Sequence, residues 1–166
     1  LALYKMGIAY ILTMRGIPQI QYGTELLMSN QKGGDHGEIR EDFPGGWDND
    51  EINGFTGENL PKDKLKAQQF FKKLLNWRKS KEVIHTGKLM QFSPAHDGIY
   101  TYFRYNDDES IMVVFNKNEK PFKVKSNIYY ERIHKFKTGI DVITNKKYEL
   151  QNMTIPARNV LILELK

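Results

Sequence analysis

The sequence predicts an α+β chain in which a helix–strand–helix segment precedes an all-β antiparallel sandwich. Three observations carry this. Apolar residues recur at helical spacing in residues 1–14 and again in 62–79, around one short apolar stretch at 17–22. From about Val83 the texture changes to short β-branched and aromatic runs separated by turn clusters. Apolar content of 40% with 27% charged residues supports a packed core over disorder.

In residues 1–14, Leu1, Tyr4, Ile8, Ile11 and Leu12 fall on one helical face. Lys5 interrupts the run and no small-residue cleavage site follows, which argues against a signal peptide. The segment is also too short and too charged for a membrane span. The expectation is a piece of a longer chain, cut within a helix. Ile17 to Tyr22 predict a short buried strand, too short to form a core alone. Residues 23–60 predict an irregular loop, and loops of that length are functional or disordered more often than they are simple connections.

Pro61 opens a second helix over residues 62–79, since proline suits the first helical turn. Ala67, Phe70, Phe71, Leu74, Leu75 and Trp77 form its apolar side, and Lys64, Lys72, Lys73 and Lys79 its solvent side. Helix, strand, loop and helix follow the rhythm of a parallel α/β array, but one strand needs neighbours. The expected strands of the β half are Ile99–Tyr105, Ile111–Phe115, Phe122–Ser126, Tyr129–Phe136, Asp141–Ile143, Tyr148–Leu150 and Val160–Leu165. Asn106-Asp107-Asp108-Glu109-Ser110, Thr138-Gly139 and Thr144-Asn145-Lys146-Lys147 are expected turns. The expected partition is therefore residues 1–80 and 83–166.

Cysteine is absent, which excludes disulfides, thiolate catalysis and cysteine-based zinc sites in this chain. The net charge of +5 is uneven: residues 1–59 carry 4 Lys+Arg against 9 Asp+Glu, and residues 60–166 carry 21 against 11. A basic half can attract phosphate polymers. Its lysines alternate with apolar residues, as Lys123 and Lys125 do with Phe122 and Val124, which is also the pattern of a solvated strand face. No nucleic-acid motif accompanies them.

The acidic loop holds Glu25, Asp35, Glu38, Glu41, Asp42, Asp48, Asp50, Glu51 and Glu58. Glycoside hydrolysis needs two carboxyl groups roughly 5 to 9 Å apart, a geometry that closeness in sequence does not establish. Asp48-Asn49-Asp50-Glu51-Ile52-Asn53-Gly54 departs from an EF-hand loop at Ile52 and in the late glycine. His85, His96 and His134 lack ligand spacing. Tyr100, Tyr102, Tyr105, Tyr129 and Tyr130 suit either an aromatic binding platform or cross-strand packing. Asp35, His36, Arg40 and Trp47 together suit a sugar: carboxylate and guanidinium for hydroxyls, indole for a pyranose face.

The run Leu12-Thr13-Met14-Arg15-Gly16-Ile17-Pro18-Gln19-Ile20, with Tyr22-Gly23-Thr24-Glu25, resembles the eighth barrel strand of alpha-amylase family glycoside hydrolases. Gly34-Asp35-His36-Gly37-Glu38-Ile39-Arg40-Glu41-Asp42-Phe43-Pro44-Gly45-Gly46-Trp47 resembles the following loop in the neopullulanase and cyclomaltodextrinase subgroup, particularly its starch-utilisation members. Residues 62–79 are similar to the last barrel helix, and residues 83–166 to the C-terminal Greek-key β-sandwich, closing on Ile155-Pro156-Ala157-Arg158-Asn159-Val160.

The resemblance implies the last helix–strand–helix part of a TIM (β/α)8 barrel followed by that sandwich. It implies retaining cleavage of α-glucosidic bonds in the parent by an Asp nucleophile, a Glu acid and a second Asp, all on earlier strands. No catalytic residue and no metal ligand is then expected here, calcium being a matter for the upstream part. The family's loop Asp and Arg are four apart, whereas Asp35 and Arg40 are five apart, so either one residue is inserted or His36 takes the place. Trp47 matches a loop tryptophan, as a stacking surface or a plug beneath the loop. Glu25 matches the carboxylate closing the strand and orients the loop, and Gln21 stands where an aromatic is usual. The implied partners are an α-glucan and the rest of the barrel, with no nucleic acid and no membrane span, in a periplasmic or envelope setting.

Overall fold

A computed structural model describes residues 1–29, 36–37, 40–93 and 98–166. Contacts group Leu1–Pro18 with Lys73–Lys166, and set Gln19–Lys72 apart as a second unit. This grouping cuts across the partition at residues 80–83 read from the sequence, because the first helix packs on a sheet that follows it by nearly ninety residues.

The first unit contains α1 (Ala2–Thr13), the end of α2 (Lys62–Lys79) and α3 (Glu82–His85). The strands are β1 (Lys88–Phe92), β2 (Ile99–Tyr105), β3 (Ser110–Asn116), β4 (Phe122–Lys123), β5 (Thr138–Asp141), β6 (Lys147–Glu149), β7 (Thr154–Ile155) and β8 (Asn159–Leu165). A short helix, α4 (Tyr130–Ile133), follows β4 after a 3-10 turn. Six strands form one antiparallel sheet in the order β1-β2-β3-β8-β5-β6, and β4 pairs with β7 in a separate ribbon. After β5, β6 and the ribbon strand β7, the chain returns in β8 to lie beside β5. The two layers are thus unequal, and helices complete the smaller one.

Side chains alternate across the sheet. Ile99 and Phe103, Met112 and Val114, and Leu161, Leu163 and Leu165 face the ribbon side, in one core with Val124, Tyr129, Ile133, Leu150, Met153 and Ile155. Each such fully buried side chain contributes about 1.5–3 kcal/mol. On the opposite face Tyr10 of α1 meets Tyr100, Tyr102 and Phe115 at centroid distances of 6.4, 6.3 and 6.3 Å. Covered on both sides, β3 is buried at every residue, which is why Ile111–Phe115 reads as an unbroken apolar run.

Several expectations are corrected. No strand forms at 17–22: among the described residues none supplies a ladder partner, and Ile17 is 97% exposed. A strand's amide and carbonyl groups need a neighbour, and one short apolar run cannot provide it. Tyr129–Phe136 is a helical turn instead of a strand, because the buried residues Tyr129 and Ile133 are four apart and the intervening Tyr130 is exposed. Thr138-Gly139 lies within β5, where a Cβ on Gly139 would come within 2.9 Å of Leu163 Cβ. The expected strand Asp141–Ile143 stops at its first residue. There Asp141 Oδ2 accepts from Thr144 N (2.9 Å) and Thr144 Oγ1 (2.6 Å), folding the chain into a turn. In α1 the buried residues are Met6, Ile8, Ala9, Leu12 and Thr13, a face rotated from the one expected.

A polar cluster closes the C-terminal end of α1. Thr13 Oγ1 donates to Ala9 O (2.6 Å), so the Tyr102 hydroxyl, 2.5 Å away, is the donor to Thr13 Oγ1. Burial pushes the Tyr102 phenol far above its ordinary range, which keeps that proton in place. Arg104, fully buried, donates to Thr13 O (3.1 Å) and Gly87 O (2.9 Å). Arg78 donates to Leu12 O (2.7 Å) and Gly16 O (3.3 Å). Two guanidinium groups therefore meet carbonyls that the helix leaves unpaired, at the negative end of its dipole. Burial, then the nearby Arg78, lowers the pKa of Arg104, yet a guanidinium stays protonated. Beside this cluster Glu164 accepts from Trp77 Nε1 (2.7 Å) and pairs with Lys81 (3.0 Å), which also reaches Glu109 (2.8 Å).

Arg104→Met should lower stability by about 2–4 kcal/mol, since it strips two buried carbonyls of charge-assisted donors; a urea midpoint within error of the unsubstituted chain would contradict the capping role. Burial opposes charge on Glu164, but Trp77 and Lys81 outweigh it and hold the carboxyl below its usual value. Its stabilisation is complete above an unfolded pKa of about 4.3 and is lost as pH falls through the lower folded value. On Lys81 burial likewise opposes charge, the two carboxylates outweigh it, and its contribution fades only as pH rises through a raised pKa. Glu164→Gln should flatten the acid limb of a stability-against-pH curve, so that the two proteins differ at pH 7 and draw together as pH falls through the lowered folded pKa of Glu164. Parallel curves would remove Glu164 from the linkage.

Candidate functional site

The second unit, Gln19–Lys72, carries the residues singled out for binding. Gly23, at φ 82°, starts a 3-10 turn over Thr24–Leu26, and Leu27 follows at φ 52°. Only glycine fits the first position, where a Cβ would strike the Met28 side chain. Met28 N donates back to Gly23 O (2.9 Å), and Leu26 is fully buried beneath the turn. Glu25 is thereby held, half-buried, on a short rigid turn. Tyr22 OH donates to Glu41 O (3.0 Å), joining the two ends of the loop around a recess of about 170 Å³ walled by Tyr22, Thr24, Met28 and Glu41.

Residues 44–60 are built by their own short polar side chains. Asp50 Oδ2 accepts from Gly45 N (2.6 Å) and Trp47 N (3.1 Å), and Asp50 N donates to Trp47 O (3.1 Å). Asn53 Oδ1 accepts from Phe55 N (2.9 Å) and Thr56 N (3.0 Å), while Gly54 N donates to Pro44 O (2.9 Å). Gly54 lies so close to Leu26 and Phe43 that a Cβ there would overlap both. Phe43 and Phe55 pack with centroids 4.8 Å apart, and Gln68 of α2 donates to Gly54 O.

The candidate residues are distributed over this frame as follows. Trp47 N is held by the Asp50 carboxylate, and the residue is 68% exposed. Arg40 is exposed, with its backbone N donating to Gly37 O (3.1 Å), and His36 is exposed at the same turn. Asp35, with Glu38 and His96, lies outside the described residues. The Tyr22–Glu41 recess and the Asp50 clamp were not read from the sequence. An aspartate four residues after a glycine pair and three after a tryptophan is the turn signal that could have found the second. Asp50, considered above within an imperfect calcium loop, uses its carboxylate to hold the turn. Among the described residues no cluster of three or more His, Asp or Glu could hold a metal ion, and no helix is long and apolar enough to cross a membrane.

The tyrosines divide sharply. Tyr100 and Tyr102 pack against Tyr10 and Phe115, Tyr129 is buried with Phe92 and Phe103, and Arg132 covers the Tyr105 ring at 3.6 Å. Four of the five are thus packing residues, and Tyr130 alone of them is exposed, at 69%.

Residues 89–164 match the cyclo-malto-dextrinase C-terminal domain family. Solved structures with the same fold include the maltogenic amylase from S. marinus, at 19% identity and TM-score 0.65, covering 99% of this chain and 19% of that one. AmyP in complex with maltotriose aligns at 14% identity and TM-score 0.72, over 98% of this chain and 34% of that one. The Nostoc punctiforme debranching enzyme, soaked with acarbose, aligns at 18% identity and TM-score 0.66, over 98% and 29%. The chain therefore spans between about a fifth and a third of the length of these proteins, and its likeness to the alpha-amylase family is shown in its C-terminal part.

Asp50→Ala should speed hydrogen exchange of the Gly45 and Trp47 amides by about 10–100-fold, the equivalent of one charge-assisted hydrogen bond. Unchanged protection at both amides would mean that the turn is held by something else.

Proposed function

We propose that this chain forms the C-terminal portion of an α-glucan hydrolase of the alpha-amylase family, acting on starch, pullulan or maltodextrins. Residues 19–72 then supply part of the substrate wall next to the last barrel strand. The observation that carries the reading is the match of residues 89–164, together with near-complete alignment of the chain to amylolytic enzymes several times its length. The apolar residues left exposed on and after α1 also support it. Leu3 (61%), Ile11 (44%) and Ile17 (97%) are apolar side chains that suit burial against further barrel elements. In a barrel, residues 17–22 would pair with parallel neighbours.

In this reading Arg40 presents its planar fork of donors to sugar hydroxyls or to a carboxylate of the site. Trp47 offers an exposed indole face to a pyranose ring, Asp35 or His36 completes the polar contact, and Glu25 orients the loop from its 3-10 turn. The reacting carboxylates belong to earlier strands of the parent, so this chain positions substrate and does not cleave it. Two of the aligned proteins were crystallised with or soaked in oligosaccharide ligands, maltotriose and acarbose, which supports the substrate class.

The 166-residue chain should release no reducing sugar from pullulan, cyclodextrin or soluble starch. Turnover that survives rigorous purification would refute the assignment of roles. In an intact enzyme carrying this segment, Arg40→Ala should lower kcat/KM by about 10–100-fold, as expected for loss of charge-assisted hydrogen bonds to substrate. An unchanged value would take Arg40 out of the site.

A further inference from the structure

We propose a second, non-catalytic glucan-binding groove on the β domain, running across α4 and centred on Tyr130. A recess of about 400 Å³, within the range of small-ligand sites, opens beside this helix. Its floor is apolar, from Ile133 and Leu150, and its rim carries the amide groups of Asn127 and Gln151. Tyr130 stands at its edge with 69% of its surface exposed. The ring is steadied by His134, one turn along, at a centroid distance of 5.3 Å and an interplanar angle of 32°. His134 N donates to Tyr130 O (3.0 Å), fixing the spacing of the pair.

A second recess of about 160 Å³ adjoins the first, since His134 lines both. It is bounded by Ser110 and Arg132, whose Oγ and Nε are buried without a hydrogen-bond partner. Unspent polar groups of this kind call for a ligand or water.

The chemistry selects a neutral polyhydroxylated ligand. Carboxamides both donate and accept, as sugar hydroxyls do. An exposed aromatic face over an apolar floor suits the C–H face of a pyranose ring. The recess beside Tyr130 has no carboxylate, lysine or arginine in its lining, and around the second recess Asp107, Asp108, Glu109 and Glu131 outnumber Arg132 and Lys135, which disfavours an anion. Two adjoining recesses match consecutive rings of a chain better than a single sugar. That the sugar is an α-glucan rests on the function proposed above; the groove itself rests on residues 106–151.

The test is calorimetric titration of the full 166-residue chain with maltoheptaose, beside native electrophoresis in gels containing soluble starch. The unsubstituted chain should bind, Tyr130→Ala should bind about tenfold more weakly, and Tyr130→Phe should retain affinity. Because Tyr130 is exposed, the substitution leaves the core intact, which an unchanged urea midpoint verifies. Equal affinity for Tyr130→Ala and the unsubstituted chain, or no heat at millimolar maltoheptaose, overturns the groove without touching the roles assigned to Arg40. Binding of cellohexaose in preference to maltoheptaose, lost in Tyr130→Ala, overturns the α-glucan assignment and with it the substrate class proposed above.

Discussion

The carbonyl groups at the end of α1 have no partners within their own helix, and the fold is organised around supplying them. Arg104 from the sheet and Arg78 from α2 converge there, and Tyr102 adds a hydroxyl to Thr13. Because Arg104 also holds Gly87 O, the same guanidinium ties α1, β2 and the junction between α3 and β1. That junction admits only glycine, since a Cβ on Gly87 would meet the backbone oxygens of Val83 and Tyr105. A buried charge is costly unless its hydrogen bonds are met. Here the two terminal nitrogens are met by the Thr13 and Gly87 carbonyls while Nε stays without a partner, so the cluster fixes position at some cost in desolvation.

Packing follows from that anchor. With α1 held on one face and the β4–β7 ribbon, α4 and the 3-10 turns on the other, the six-stranded sheet is covered on both sides at its centre. The aromatic contacts of Tyr10 and the ring pairs of Phe92, Phe103 and Tyr129 are consequences of this layering. They explain why most tyrosines of the β half cannot serve a ligand. The exposed one sits on a helical turn that the core requires for Tyr129 and Ile133, and so its outward direction comes with the packing.

The second unit obeys a different rule. It has few buried apolar residues, and its shape is maintained by Asp50, Asn53 and glycines at positions that exclude a side chain. Such a frame holds its backbone while leaving Arg40 and Trp47 facing outward, the arrangement expected of a loop that serves a ligand. In the proposed reading the same economy suits a substrate wall, because contacts made by a fixed backbone lose little freedom on binding.

Local pattern was enough for the elements whose cause is local. Pro61 and the apolar spacing after it give the helix Lys62–Lys79, and the β-branched runs give β2, β3 and β8. The motifs of the first fifty residues carry the resemblance to glucan hydrolases. What the sequence left undetermined depends on partners distant in the chain. Whether Ile17–Tyr22 becomes a strand is set by neighbours that supply its hydrogen bonds. Whether Tyr129 and Tyr130 lie on a strand or a helix is set by the core they meet. Arg104 looks like an ordinary strand arginine until Thr13, ninety-one residues earlier, presents its carbonyl. Sequence periodicity records which way a side chain points within its own element; only the assembled tertiary structure decides what it points at.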